Sequence, residues 1–205
     1  MALLSIVKQR LPFSRRLGLL VLLAGSVFTG PAAAQQAKTP FQTLTLHAGA
    51  TLNVNRETLH QYWQPGAGVA LSLQTPFYLG VLELSSGFHH YGAAQENLDA
   101  FNAVPLALGW GPRIMLTPRL HLSLLGRVGN YLMFFKHLPP SRSQESELML
   151  GVRAQLSYRV AGPWSLTFTG SYHRVFTHVR IDLWYVTLGV SRQLRTPGWL
   201  KTFLK

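Results

Sequence analysis

The segment WSLTFTGSYH, residues 164 to 173, sorts its side chains by parity. One parity is apolar or aromatic and the other carries hydroxyl groups and an imidazole: Trp164, Leu166, Phe168, Gly170 and Tyr172 against Ser165, Thr167, Thr169, Ser171 and His173. Successive side chains of a β-strand point to opposite faces. The segment therefore predicts a strand with an apolar medium on one side and a polar medium on the other.

The same alternation recurs along the chain after residue 40. It defines eight segments, at about 41 to 54, 66 to 75, 77 to 89, 102 to 114, 119 to 133, 147 to 160, 164 to 176 and 182 to 194. Each is near or above the ~9 to 11 residues that a tilted strand needs to cross a bilayer. The pattern predicts an all-β fold of eight strands.

The connections between these segments alternate in length. Three are short and contain proline: TP at 75 to 76, LTP ending at Pro118 and AGP ending at Pro163. The others are longer and polar, with THVRI the shortest of them. This rhythm is typical of an antiparallel up-and-down barrel with short periplasmic turns and long outer loops. We expect the barrel to be closed, because hydrocarbon offers an open sheet edge no hydrogen-bond partner.

Aromatic residues of the apolar parity gather near both ends of the predicted strands, with mainly Leu and Val between them. Those toward the short turns are Tyr78, Trp110, Tyr158 and Trp164, and those toward the long loops are Phe88, Phe134, Tyr172 and Trp184. Two such belts are typical of the two interfaces of a membrane. The arrangement predicts a transmembrane barrel with its apolar face outward.

The N-terminus has the pattern of a secretory signal. Four basic residues precede an apolar run at 17 to 28, and GPAAAQQ follows. We predict a signal peptide at 1 to 34, cleaved near Ala34, and a short linker at 35 to 40. An uncleaved anchor is the alternative, although a membrane-spanning helix needs about 20 apolar residues.

Charge and cysteine content further restrict the partners and chemistries expected of this chain. Four of the 19 Lys and Arg residues lie in the predicted signal and all seven acidic residues follow it, so the mature chain carries 15 basic and 7 acidic residues. Its Arg residues are scattered, without a nucleic-acid-binding motif, which favours anionic lipid over nucleic acid as a partner. The chain has no cysteine, which excludes disulfides, thiol catalysis, cysteine zinc sites and lipid-modified cysteine.

A family resemblance rests on the stretch VPLALGWGPRIMLTPRLHLSLLGRVGNYL at 104 to 132. It resembles the central hairpin of the porin-family outer-membrane β-barrel domain, and the chain from 41 to 194 resembles small eight-stranded barrels of the OmpA/OmpX kind. The resemblance implies an outer-membrane location, insertion by the barrel assembly machinery and a monomer without a cofactor. Such barrels usually end at an aromatic residue closing the last strand, whereas here a tail, RTPGWLKTFLK at 195 to 205, follows Leu194.

A charge cluster is predicted inside the barrel. Glu83, Arg127 and Arg153 lie mid-strand on the polar parity. A carboxylate among Arg residues in a narrow interior should be ionised and paired. We interpret the cluster as a structural filling of the lumen, with a gate or proton relay as the less favoured alternative.

Basic residues near the long loops form a second candidate site. Arg142, Arg174 and Arg180 could contact phosphates of lipopolysaccharide. Five histidines lie near the same loop ends in the sequence: His89, His90, His137, His173 and His178. No close ligand pair with a supporting acid appears among them, so no metal site is predicted.

Two pairs at i and i+2, His121 with Ser123 and Ser171 with His173, face the lumen and could suggest catalysis on lipid A. His121 falls near the short-turn end, away from the outer leaflet, and His173 lacks an evident carboxylate on a neighbouring strand to orient it, so no catalytic residue is predicted. We expect a non-enzymatic outer-membrane barrel with a side-chain-filled lumen and a structural or surface-interaction role; minor solute passage is left open. The alternatives are an outer-membrane enzyme acting on lipid A or phospholipid, and a soluble periplasmic carrier of the lipocalin type.

Overall fold

The computed structural model describes residues 40–54, 59–95, 98–136, 143–178 and 180–199. The predicted signal peptide, most of the linker and residues 200 to 205 of the tail lie outside this part of the chain. No helix among the described residues is long and apolar enough to cross a membrane.

Eight antiparallel strands form a closed barrel in which each strand pairs with the next and the last pairs with the first. They are β1 (Thr43–Asn53), β2 (Trp63–Phe77), β3 (Gly80–Ala93), β4 (Phe101–Thr117), β5 (Leu120–Phe135), β6 (Gln144–Ala161), β7 (Trp164–Val175) and β8 (Ile181–Arg195). A four-residue helix, α1 (Leu59–Tyr62), lies in the first long connection. The predicted architecture is confirmed.

One of the three tight turns is displaced from its predicted position. The β2–β3 turn is at Tyr78 and Leu79 rather than at Thr75 and Pro76. Pro76 pairs in register with Val81 inside the hairpin, and its carbonyl accepts a 3.1 Å hydrogen bond from the Phe41 amide. Pro76 therefore lies in the strand and not in the turn. Proline is tolerated near the end of a strand at a position where its missing N–H is not needed as a hydrogen-bond donor.

The outer face of the barrel is apolar, as the parity predicts. Its exposed aliphatic and aromatic side chains include Leu46, Val69, Leu71, Leu73, Leu84, Leu106, Leu108, Leu124, Leu148, Leu150, Val152, Leu166, Phe168, Leu188 and Val190. The predicted belt residues also point outward, with Trp110, Trp164 and Trp184 each about half exposed. A sheet with this surface requires hydrocarbon around it, since a band of this kind is typical of transmembrane barrels.

The interior is polar along most of its length but not at the long-loop end. There a buried apolar cluster fills it: Tyr91, Phe101, Ala103, Ala107, Tyr131, Met133, Met149, Val175, Leu183 and Tyr185. At this end the side chains that fill the lumen are apolar rather than polar. Closure of the barrel packs these inward-facing side chains against one another, and this packing excludes water from the long-loop end.

Candidate functional site

The lumen is crossed by an ion-paired cluster from three strands. Glu83 on β3 is fully buried, and its Oε2 accepts a 2.7 Å hydrogen bond from Nη1 of Arg153 on β6. Nε of Arg127 on β5 lies 3.5 Å from Oε1 of the same carboxylate. The structure thus brings the three predicted residues together, with each Arg less than 10% exposed.

A layer of amides continues the network toward the short turns. The side-chain amide of Gln74 donates to Glu83 Oε2 at 2.8 Å and to Gln155 Oε1 at 3.1 Å. Nη2 of Arg113 donates to Gln74 Oε1 at 2.6 Å. Gln155 in turn donates to Nδ1 of His47 at 3.1 Å. The parity placed these residues in the lumen, but only closure of the barrel makes Gln155 and His47 neighbours.

Toward the long loops, Arg127 connects the cluster to a histidine and a tyrosine. Its guanidinium donates to Ser85 Oγ, and its Nη1 lies 2.7 Å from His173 Nε2. The rings of His173 and His89 pack against Tyr185, with centroids 5.1 and 4.5 Å away. Both histidines are buried, at 4% exposure. They lie on the inward parity of β3 and β7 near the long-loop end and are not among its surface residues.

The other predicted loop histidines have separate surroundings. Nδ1 of His90 is 2.8 Å from Asn102 Oδ1, and His178 is exposed. His137 lies outside the described residues. No group of three or more metal-ligating side chains is found in the part of the chain that the structure covers.

Three tyrosine hydroxyl groups meet above the histidines. The Tyr185 hydroxyl is 2.7 Å from that of Tyr91 and 3.1 Å from that of Tyr131. Asn53 donates to the Tyr91 hydroxyl at 3.4 Å. The hydroxyl cluster joins the polar lumen to the apolar cluster, because each ring packs in the latter while its oxygen is hydrogen-bonded below. Sequence reasoning missed it, since Tyr91 and Tyr185 are 94 residues apart.

Two small cavities lie between these layers. One cavity of about 20 Å³ lies among Arg127, Arg153, Ser171 and His173, and a second of about 10 Å³ lies beside His47. Volumes of this size hold about one small particle each, such as a water molecule. The side chains of the ion-paired cluster, the amide layer and the tyrosine cluster can fill the barrel, cross-link its strands and close its lumen.

The two His/Ser pairs considered for catalysis differ in position. Ser171 and His173 are buried inside the lumen, at 6% and 4% exposure, where a lipid in the surrounding bilayer cannot reach them. His121 and Ser123 lie near the short-turn end of β5, with Ser123 accepting from Arg113 Nε at 3.2 Å.

Two of the three predicted surface arginines lie in the described chain. Arg174 projects from the outer face of β7, and its Nε donates to Asp182 Oδ1 of β8 at 2.8 Å. This pair lies next to the belt residues Tyr172 and Trp184, whose rings are 4.8 Å apart. Arg180 is exposed in the β7–β8 connection. Arg142 lies outside the described residues.

Known structures share this architecture. Neisserial surface protein A has a TM-score of 0.55 at 13% identity, over 77% of this chain and 99% of that one. Ail, the attachment invasion locus protein of Yersinia pestis, has a TM-score of 0.51 at 15% identity, over 75% and 99%. Ail in complex with the heparin analogue sucrose octasulfate has a TM-score of 0.50 at 12% identity, over 74% and 98%.

Sequence comparison adds no closer relationship: no protein-family model and no curated protein matches this chain. The closed antiparallel sheet, its apolar exterior and the structural matches agree on one architecture. The chain has the fold of the small eight-stranded outer-membrane β-barrels, as its sequence resemblance implied.

Proposed function

We propose that this protein spans the outer membrane as a barrel closed to solutes and acts at the cell surface through its long-loop end. The observation that carries the proposal is the filled lumen. The Glu83, Arg127 and Arg153 cluster blocks its middle, and packed Tyr, Phe and Met side chains block its outer end. A non-enzymatic structural or surface-interaction role follows, with insertion by the barrel assembly machinery.

Planar-bilayer recording tests the closed lumen. The purified protein, inserted as a monomer, should give no steady current above the bilayer background, because the ion-paired cluster at the middle and the apolar cluster at the outer end both fill the lumen. A large-pore barrel inserted under the same conditions is the positive control. A large steady current through the wild-type protein would contradict the proposal and would favour solute passage.

At the surface, the proposed partner is lipopolysaccharide, contacted by Arg142, Arg174 and Arg180. Arg174 is 44% exposed on the outer face beside the aromatic belt, at the depth where lipid phosphates would lie. Guanidinium groups bind phosphate oxygens in a fork geometry. Arg174 holds Asp182 in this way, with Nε 2.8 Å from Oδ1 and Nη2 3.2 Å from Oδ2, so a lipid phosphate would have to share or replace that contact. The complex of the structurally similar Ail with a sulfated heparin analogue is a precedent for polyanion binding on this architecture.

Lipid retention during detergent extraction tests this contact. Arg174→Gln combined with Arg180→Gln should lower the lipopolysaccharide retained per barrel, measured by native mass spectrometry. Arg159→Gln combined with Arg195→Gln, at the exposed opposite end, is the matched control and should retain the wild-type amount. Equal retention by both double variants would contradict a phosphate contact at Arg174 and Arg180.

The two alternative functions have less support. A lipocalin-type carrier needs an apolar cavity inside the barrel, whereas the apolar side chains here cover the outside. An enzyme acting on lipid needs a nucleophile that the lipid can reach, whereas Ser171 and His173 are buried in the lumen.

A further inference from the structure

We propose that the lumen of this barrel binds one small inorganic anion, of the size of chloride, in the cavity between Arg153 and His173. The inference does not depend on the role at the cell surface. It rests on three features of the lumen: an excess of positive charge, buried donors without acceptors, and a cavity lined by the residues that carry those donors.

The charge excess comes from the side chains that meet inside the barrel. Among the described residues that meet at Glu83, the guanidinium groups of Arg127 and Arg153 share its one carboxylate. These three side chains therefore carry a net charge of +1. Guanidinium groups remain protonated in proteins. A charge that is buried without a counter-charge is strongly disfavoured, so this arrangement calls for an anion.

The hydrogen bonds show where the anion would lie. Arg127 can only donate, so the 2.7 Å contact between its Nη1 and His173 Nε2 makes Nε2 the acceptor. The proton of the neutral His173 ring is then on Nδ1, which is buried without a hydrogen-bond partner. Nε of Arg153 is likewise buried without a partner. Two donors that lack acceptors thus belong to residues lining one cavity.

The cavity matches a monatomic anion in size and lining. Its volume of about 20 Å³ is enough for one water-sized particle. The hydroxyl-bearing residues Ser171, Thr187 and Tyr185 complete the wall around Arg153 and His173. A water molecule could accept from these donors, but it would leave the net charge of the network unchanged.

Bromide is the probe for the site, because it replaces chloride and scatters X-rays anomalously. Crystals of the full barrel grown in bromide should give an anomalous peak in the cavity between Arg153 and His173. In detergent micelles, the unfolding midpoint should rise with bromide at constant ionic strength, with gluconate as the replaced anion, and should saturate as a single site fills. No peak in the cavity, or a midpoint indifferent to bromide, would overturn the proposal.

Two substitutions should shift the bromide affinity in opposite directions. Glu83→Gln removes the only carboxylate of the network and should tighten binding by about tenfold, whereas Arg153→Gln should weaken it by about tenfold. Arg174→Gln, on the outer face, is the matched control and should leave the affinity unchanged. If Arg153→Gln does not fold, Ser171→Ala provides the weakened variant. Weaker binding by Glu83→Gln, or an equal shift in Arg174→Gln, would show that bromide acts elsewhere.

Discussion

At the scale of single residues, Glu83 organises the lumen. Its carboxylate has contacts from Arg153, Arg127 and the Gln74 amide, and it is fully buried. Such a pair adds little beyond what a well-packed apolar pair would give, but removing one partner leaves the other charge buried without compensation. The energetic importance of Glu83 thus lies in the charges that it neutralises.

Removing both partners should therefore cost less than the sum of the two single removals. Glu83→Gln leaves Arg127 and Arg153 without their carboxylate and should lower the free energy of unfolding by about 3 to 5 kcal/mol. Arg153→Gln leaves Glu83 paired with Arg127 and should cost less, and the double variant should lose less than the sum of the two. The measurement is urea unfolding in phospholipid vesicles without halide. Glu145→Gln, at an exposed position of β6, is the control and should change stability little. Strict additivity in the double variant would show that the two side chains are not coupled.

At the scale of one strand, β8 presents different environments along a single face. Leu188 lies mid-strand and is 64% exposed, and Leu194 lies on the same parity near the short-turn end at 39%. If this face meets lipid, a charge at the middle must be stripped of water, whereas a charge near the end can reach the interface.

Arginine substitutions on β8 should consequently show a dependence on depth. Leu188→Arg should cost about 2 to 4 kcal/mol of unfolding free energy and Leu194→Arg about 0 to 1 kcal/mol. Reversible unfolding from phospholipid vesicles provides both values, with Leu188→Ala separating lost side-chain volume from added charge. Equal costs at the two positions would mean that the middle of β8 faces water.

For the barrel as a whole, the sequence predicts the features that depend on local alternation and not those that depend on contacts across the lumen. Side-chain parity is local, so alternation in stretches such as 164 to 173 predicted the strands, their two faces and the aromatic belts. Contacts across the lumen are not local: Gln155 and His47 are 108 residues apart and meet only after closure. Parity placed Glu83, Arg127 and Arg153 in the interior, while their partners and the apolar outer end depend on how the strands are staggered.

The central claim is the inversion of the barrel, with lipid outside and a filled polar network inside, and single-cysteine labelling tests it most directly. The chain has no native cysteine, so a fluorophore can be attached in turn at Leu166, Thr167, Thr187 and Leu188. In vesicles containing brominated lipids, labels at Leu166 and Leu188 should be quenched, and labels at the buried Thr167 and Thr187 should be protected or fail to react. Quenching at the two Thr positions, with the two Leu positions shielded from lipid, would contradict the account.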